Sequence, residues 1–147
     1  MQYLLIFFKL PAGKKRLIIE AFFVLGMSQA AIKTIKFKSM AAHWGEHLQE
    51  SPYVINDKER SVVGNVSWAV NTMSRHTFWE CKCLAQAVAA KYLLRRRNIK
   101  STLYLGVARD EQQQMVAHAW LRSGDKIVTG ARGKEGFVTL SYFGDTD

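Results

Sequence analysis

The hydrophobic period changes once along this chain, near residue 100, and that change limits the folds open to it. Before it, apolar residues recur at helical spacing: Val62, Val63, Val66, Ala69, Val70 and Met73 follow an i, i+3, i+4, i+7 pattern that predicts a helix over 59–75. Residues 14–36 are rich in Leu, Ile, Phe and Ala, and their apolar positions cover more than one face. Such a helix is buried on two sides or docked to something. The clearest helix is 83–97, with Leu84, Ala87, Val88 and Leu94 among small alanines, three arginines in the last turn and Asn98 as a stop. After it the period becomes two. Residues 102–107 read as a short strand and 115–122 alternate like another. Ser123-Gly124-Asp125 turn a hairpin into 126–129, and 137–143 form a last strand. Helices followed by consecutive strands predict an α+β fold with an antiparallel sheet. Ser51-Pro52 and Asn56-Asp57 mark a loop. We therefore expect an N-terminal helical region, 1–58, packed on or extending a core over 59–147.

A chain of 147 residues, 48% hydrophobic, can bury one domain's core unaided. Its aliphatic and aromatic content excludes a disordered chain, and two cysteines exclude a disulfide scaffold. Lys+Arg 21 against Asp+Glu 12 gives a formal charge of +9, which predicts an acidic partner without naming its kind. Between residues 9 and 38 stand Lys9, Lys14, Lys15, Arg16, Lys33, Lys36 and Lys38, with Glu20 the one acid. This bias reads either as solvated helix faces or as a docking surface for a partner protein or an acidic membrane face. The apolar run 3–8 lacks a basic start and is stopped by Lys9 and Pro11, unlike a signal peptide. The run 17–32 is interrupted by Glu20, Ser28 and Gln29 and falls short of the roughly 20 apolar residues a span needs. A cytoplasmic chain without a transmembrane segment is expected, with peripheral membrane contact open and with Cys81 and Cys83 reduced.

Cys83 is the first candidate for chemistry. It falls at a helix start, where unpaired amides and the macrodipole favour a thiolate; the competing reading is a small apolar residue there. His118 adds a second group. On its alternating strand, Met115, Ala117, Ala119 and Leu121 share an apolar face turned to the core. His118, Trp120 and Arg122 point the other way, with alanines flanking the histidine. A helix-start cysteine and an uncrowded strand histidine suit a thiol nucleophile and its general base, a pairing made in space and not in sequence. A metal site joining Cys81, Cys83 and a histidine lacks a second ligand pair, and no metal or cofactor is expected. Trp79 and Trp120 bracket the two candidates and suit either a substrate cleft or core packing. His43 and His47, at i, i+4, read as a helix surface, and His76 has no partner in sequence. The glycines of Gly130-Ala-Arg-Gly133 precede no helix, which argues against a phosphate cradle.

Four segments now carry a resemblance: Cys83-Leu-Ala-Gln-Ala87, Leu93-Leu-Arg-Arg-Arg97, Thr102-Leu-Tyr-Leu-Gly-Val107 and His118-Ala-Trp-Leu-Arg-Ser-Gly-Asp125-Lys-Ile-Val-Thr-Gly130. Together they resemble the lasso-peptide leader peptidases, transglutaminase-like cysteine proteases of bacterial lasso-peptide clusters. The similarity runs in order over 79–143. It implies a papain/transglutaminase-like fold in which the nucleophile helix packs on the antiparallel sheet. It also implies removal of the leader from a ribosomally made precursor peptide. A small leader-binding protein would present the substrate, and a separate ATP-dependent cyclase, a further partner, would close the core. The resemblance places the nucleophile at Cys83 and the base at His118.

The third member is open. Relatives can show an aspartate about twelve residues after the histidine, where this chain has Gly130. Asp125 is the next carboxylate, but it lies seven residues along from the paired position if the hairpin turns at 123–125. That is on the order of 20 Å at strand rise. Thr129, a main-chain carbonyl or Asp145 are the alternatives. Two other functions compete with the peptidase. One is a basic, non-enzymatic module for an acidic peptide or nucleic acid, although no nucleic-acid motif supports the latter. The other is acyl transfer by the same dyad.

Overall fold

A computed structural model of the chain describes residues 2–146 apart from 78, 80, 81, 132 and 133, with side chains from Leu5 onward. Cys81 lies outside these residues. The helices are α1 (Gln2–Lys9), α2 (Ala12–Thr34), α3 (Phe37–Ala41), α4 (Asp57–Ser74) and α5 (Cys83–Arg95). The strands are β1 (Glu46–His47), β2 (Thr102–Arg109), β3 (Met115–Ser123), β4 (Lys126–Thr129) and β5 (Val138–Gly144). Local chemistry sets several of these limits. Pro11 precedes the first residue of α2, where it cannot continue α1. Asn56 caps α4, its side chain accepting from the Glu59 amide and donating to the Glu59 carboxylate, both at 2.8 Å. Asn98, the expected stop after α5, takes a left-handed φ of 59°, and the next amide returns to the Leu94 carbonyl at 3.0 Å.

The sheet is antiparallel in the order β1-β5-β2-β3-β4. The β3–β4 hairpin turns at Gly124, as its sequence predicts. Helices α4 and α5 cover one sheet face, and α2 packs on these two helices. Their Ala21, Leu25, Val63, Val66, Ala90 and Leu94 join Leu103, Ala119, Leu121 and Val128 of the strands in one core. Alanines on α5 let it approach both its helical neighbours and β3 closely. Each fully buried Val or Leu contributes about 1.5–3 kcal/mol. The N-terminal region is thus part of this core: α2 packs on α4 and α5, and β1 adds a strand beside β5.

The second sheet face differs from expectation, because it is covered as well. Arg122 is 4% exposed and lies over the Tyr53 ring at 3.7 Å. Its guanidinium donates to the carbonyls of Ser51 and Gly124 and to the hydroxyls of Tyr104 and Thr102. The Tyr104 hydroxyl in turn donates to Glu50 at 2.7 Å, and burial pushes its pKa up, so it stays a donor. These bonds strap the 48–56 loop onto the sheet. Only Ala119 and Leu121 of the apolar row reach the core; Met115 and Ala117 lie beyond it, exposed.

Two further expectations are corrected. His43 and His47 do not share a helix, because Gly45, at φ 118°, breaks the chain between them. A Cβ there would lie 2.6 Å from the Gly144 carbonyl oxygen, so only glycine fits. His43 bonds the Ser39 carbonyl, while His47 bonds the Ser141 hydroxyl and stacks on Phe143. The run 17–32, expected to fall short of a span, lies within a helix of 23 residues that is long and apolar enough to cross a membrane by length and composition alone. In the fold it is a core helix on one side, with Leu17, Ile18, Ala21, Val24, Leu25, Ser28 and Gln29 buried.

Candidate active site

The two residues proposed for chemistry sit on elements that pack against each other, α5 and β3. Cys83 is the first residue of α5, half-buried at the margin of the core, and its thiol is free. Lys82 before it is extended and puts no side chain on the helix-start amides. Among the described residues no side chain caps those N–H groups, which lie at the positive end of the helix. Cys83 lies here because the apolar and alanine-rich pattern of 83–95 begins with it.

His118 stands on β3, half-buried, on the row that points away from Ala119 and Leu121. It is held on three sides. Its ring stacks on Trp120 at 5.7 Å and meets Phe137 at 5.2 Å. Its Nε2 bonds the main-chain carbonyl of Gly130 at 2.8 Å. A carbonyl can only accept, so Nε2 carries a proton, and in the neutral ring the lone pair is then on Nδ1. That is the tautomer a general base needs when Nδ1 faces the acid. No hydrogen bond joins the Cys83 thiol to the imidazole among the described residues, and unliganded cysteine sites are often loose in this way.

The Gly130 carbonyl owes its position to glycine. The residue takes φ 74°, and a Cβ would meet the Ala119 carbonyl oxygen at 2.5 Å and the Trp120 Cβ at 2.8 Å. The chain can fold back over β3 at this point only without a side chain. The position where a carboxylate is wanted in sequence is thus filled by a main-chain acceptor.

Asp125 is not that acceptor. It lies past Ser123 in the hairpin turn, beyond five residues of β3 from His118, which at strand rise is about 17 Å or more. It pairs with Arg60 at 2.8 Å, whose hydrogen bond holds its carboxyl below the usual range. Asp145 is also engaged elsewhere, by Lys91 at 3.1 Å and Arg95 at 2.7 Å. Trp120 is 7% exposed, sandwiched between Tyr104 and His118, so it supports the imidazole from behind. Trp79 packs on α2, its ring 5.2 Å from Phe22 and in contact range of Gly26. Phe137 is the site residue that sequence reasoning missed, and of the alternatives it left open for the third member the main-chain carbonyl, that of Gly130, is the one that bonds His118. For Gly130 the signal was the missing aspartate itself.

Comparison with known proteins adds one match. The family model described as Transglutaminase-like superfamily covers residues 31–142 and so includes Cys83, His118 and Gly130. No curated protein and no solved structure matches the chain.

Proposed function

We propose that this chain, which belongs to the transglutaminase-like superfamily, is a cysteine endopeptidase that removes the leader from a ribosomally made lasso-peptide precursor. The superfamily supplies the α+β papain-like frame and the coarser function, thiol chemistry of the protease or acyl-transfer type. The observation that carries the peptidase reading is the fixed His118 tautomer. Its Nε2–H is bound by the Gly130 carbonyl, and α5 brings a free thiol to a helix start on the adjoining element. The narrower substrate class is supported by the Cys83-Leu-Ala-Gln-Ala87 and Ala117-His-Ala-Trp120 segments, whose resemblance is to leader peptidases.

Nδ1 of His118 takes the Cys83 proton, and the thiolate attacks the scissile carbonyl carbon. The carbonyl oxygen gains the negative charge, and amides at the start of α5, that of Cys83 among them, donate to it. The imidazolium returns its proton to the leaving amine as the C–N bond breaks, which leaves a thioester. Water, deprotonated by His118, then attacks the thioester and releases the acid and the thiol. We place the reaction in the cytoplasm, with a leader-binding protein presenting the precursor and the cyclase taking the product.

Mass spectrometry of a lasso precursor incubated with the chain and a leader-binding protein tests this. Cleavage by the native chain and by Cys81→Ala, lost in Cys83→Ala and His118→Ala, is the expected result. A product joined to an added amine in place of a free acid would instead assign acyl transfer. No turnover by the folded native chain would return the basic binding module.

A further inference from the structure

We infer that the N-terminal helices form a surface that docks on an anionic lipid bilayer. The exposed side of α2 carries the first observation. While one face is buried in the core, Ile19, Phe23 and Met27 stand 49%, 61% and 60% exposed. At 100° per residue these three and Arg16 fall within an arc of roughly 80°, so they form one continuous stripe. The neighbouring elements expose apolar residues as well: Phe8 of α1 is 66% exposed, and Ile35 and Phe37 before and within α3 are about half exposed. Beside the stripe, α1, α2 and α4 leave an apolar groove of about 470 Å³. An apolar surface of this kind is uncommon on a solvated monomer and marks a contact.

Charge complementarity selects the occupant. Lys9, Arg16, Lys33, Lys36 and Lys38 are exposed on the same N-terminal elements. Lys36 and Lys38 flank Phe37, and Lys15 lies over the Phe8 ring at 5.8 Å. Glu20, the one acid between residues 9 and 38, is occupied by Arg96 at 3.0 Å and Arg97 at 2.8 Å. Among the described residues none of Lys33, Lys36 and Lys38 is ion-paired. Projecting Phe, Ile and Met side chains with unpaired lysines on the same elements, and with no free acid between them, are the composition of an interfacial helix face on anionic lipid. The buried face of α2 sets the mode of attachment. Because Leu17, Ala21, Val24 and Leu25 belong to the core, the helix lies along the surface and does not cross it.

Sedimentation with vesicles tests the inference without reference to peptidase activity. The full chain is mixed with phosphatidylcholine vesicles, alone or with about 30% phosphatidylglycerol. The expected result is binding to the anionic vesicles only, weakened by salt. The bound fraction should fall roughly fivefold or more in Phe23→Ser/Met27→Ser and in Lys33→Glu/Lys36→Glu/Lys38→Glu. Circular dichroism would show both variants folded, since all five side chains are exposed. A folded native chain that stays in the supernatant with anionic vesicles overturns the inference, as does binding that neither variant changes. So does a dimer in solution that Phe23→Ser/Met27→Ser dissociates, which would assign the stripe to a second copy.

Discussion

Gly130 performs at the scale of one residue what an acidic side chain would do, and it does so with its carbonyl. The bond to His118 Nε2 exists because a left-handed glycine lets the chain cross β3 within reach of the ring. Gly130→Ala is therefore expected to cost about 1–3 kcal/mol in stability from backbone strain. Beyond that, it should lower kcat by roughly 10²-fold through loss of the imidazole's orientation. Urea unfolding and precursor cleavage at matched folded fraction separate the two effects. Asp125→Ala gives the contrasting case. Its carboxylate serves Arg60 on an exposed turn, so cleavage should be unchanged, and loss of activity there would return Asp125 to the site. The placement of Cys83 at a helix start and of His118 on the strand face away from the core was legible in sequence, because both are properties of local pattern. For the third member the sequence left a main-chain carbonyl as one alternative among several, because a carbonyl has no residue type that singles it out.

Among the elements, β3 joins the site to the strapped loop. Its far end is fixed by Arg122, whose planar fork meets carbonyls and hydroxyls of three segments at once. Arg122→Ala leaves those acceptors buried without a donor and should destabilise the chain by about 3–5 kcal/mol. Arg122→Lys should restore little of it, since an ammonium cannot span the same acceptors. Thermal unfolding of the two variants decides the matter, and a Lys variant as stable as the native chain would contradict the strap. The strand itself was legible from alternation, but the cover on its second face was not. The 48–56 loop has no period, and Arg122 reads in sequence as an ordinary exposed cation. The same limit applies to α2. Its all-round apolar character was visible, yet which side entered the core depended on α4 and α5 packing there.

At the scale of the whole molecule, the C-terminal tail is tied to α5 by charges inside the fold. Lys91 is 1% exposed and donates to Asp145 and to the Ser101 carbonyl. Burial lowers its pKa from 10.5 to about 8 despite the carboxylate beside it. Burial also raises the Asp145 carboxyl, but its bonds from Arg95 and Lys91 outweigh this and hold it below the usual range. Below about pH 8 the native and unfolded chains both hold the Lys91 proton, and the cost of burying it is full. From there to 10.5 the unfolded chain keeps a proton that the native chain has released, so stability rises with pH. Measured by urea unfolding against Lys91→Met, the native chain should gain on the order of 3 kcal/mol across that window. A flat or falling difference would contradict it. The account as a whole depends on Cys83 and His118 acting as a pair. The most direct test is the rate at which iodoacetamide alkylates Cys83 near neutral pH, followed by peptide mass mapping of the native chain and of His118→Ala. The account predicts rapid modification of native Cys83 that slows markedly when the imidazole is removed. A Cys83 no more reactive in the folded chain than in the unfolded one, or indifferent to His118→Ala, would contradict it.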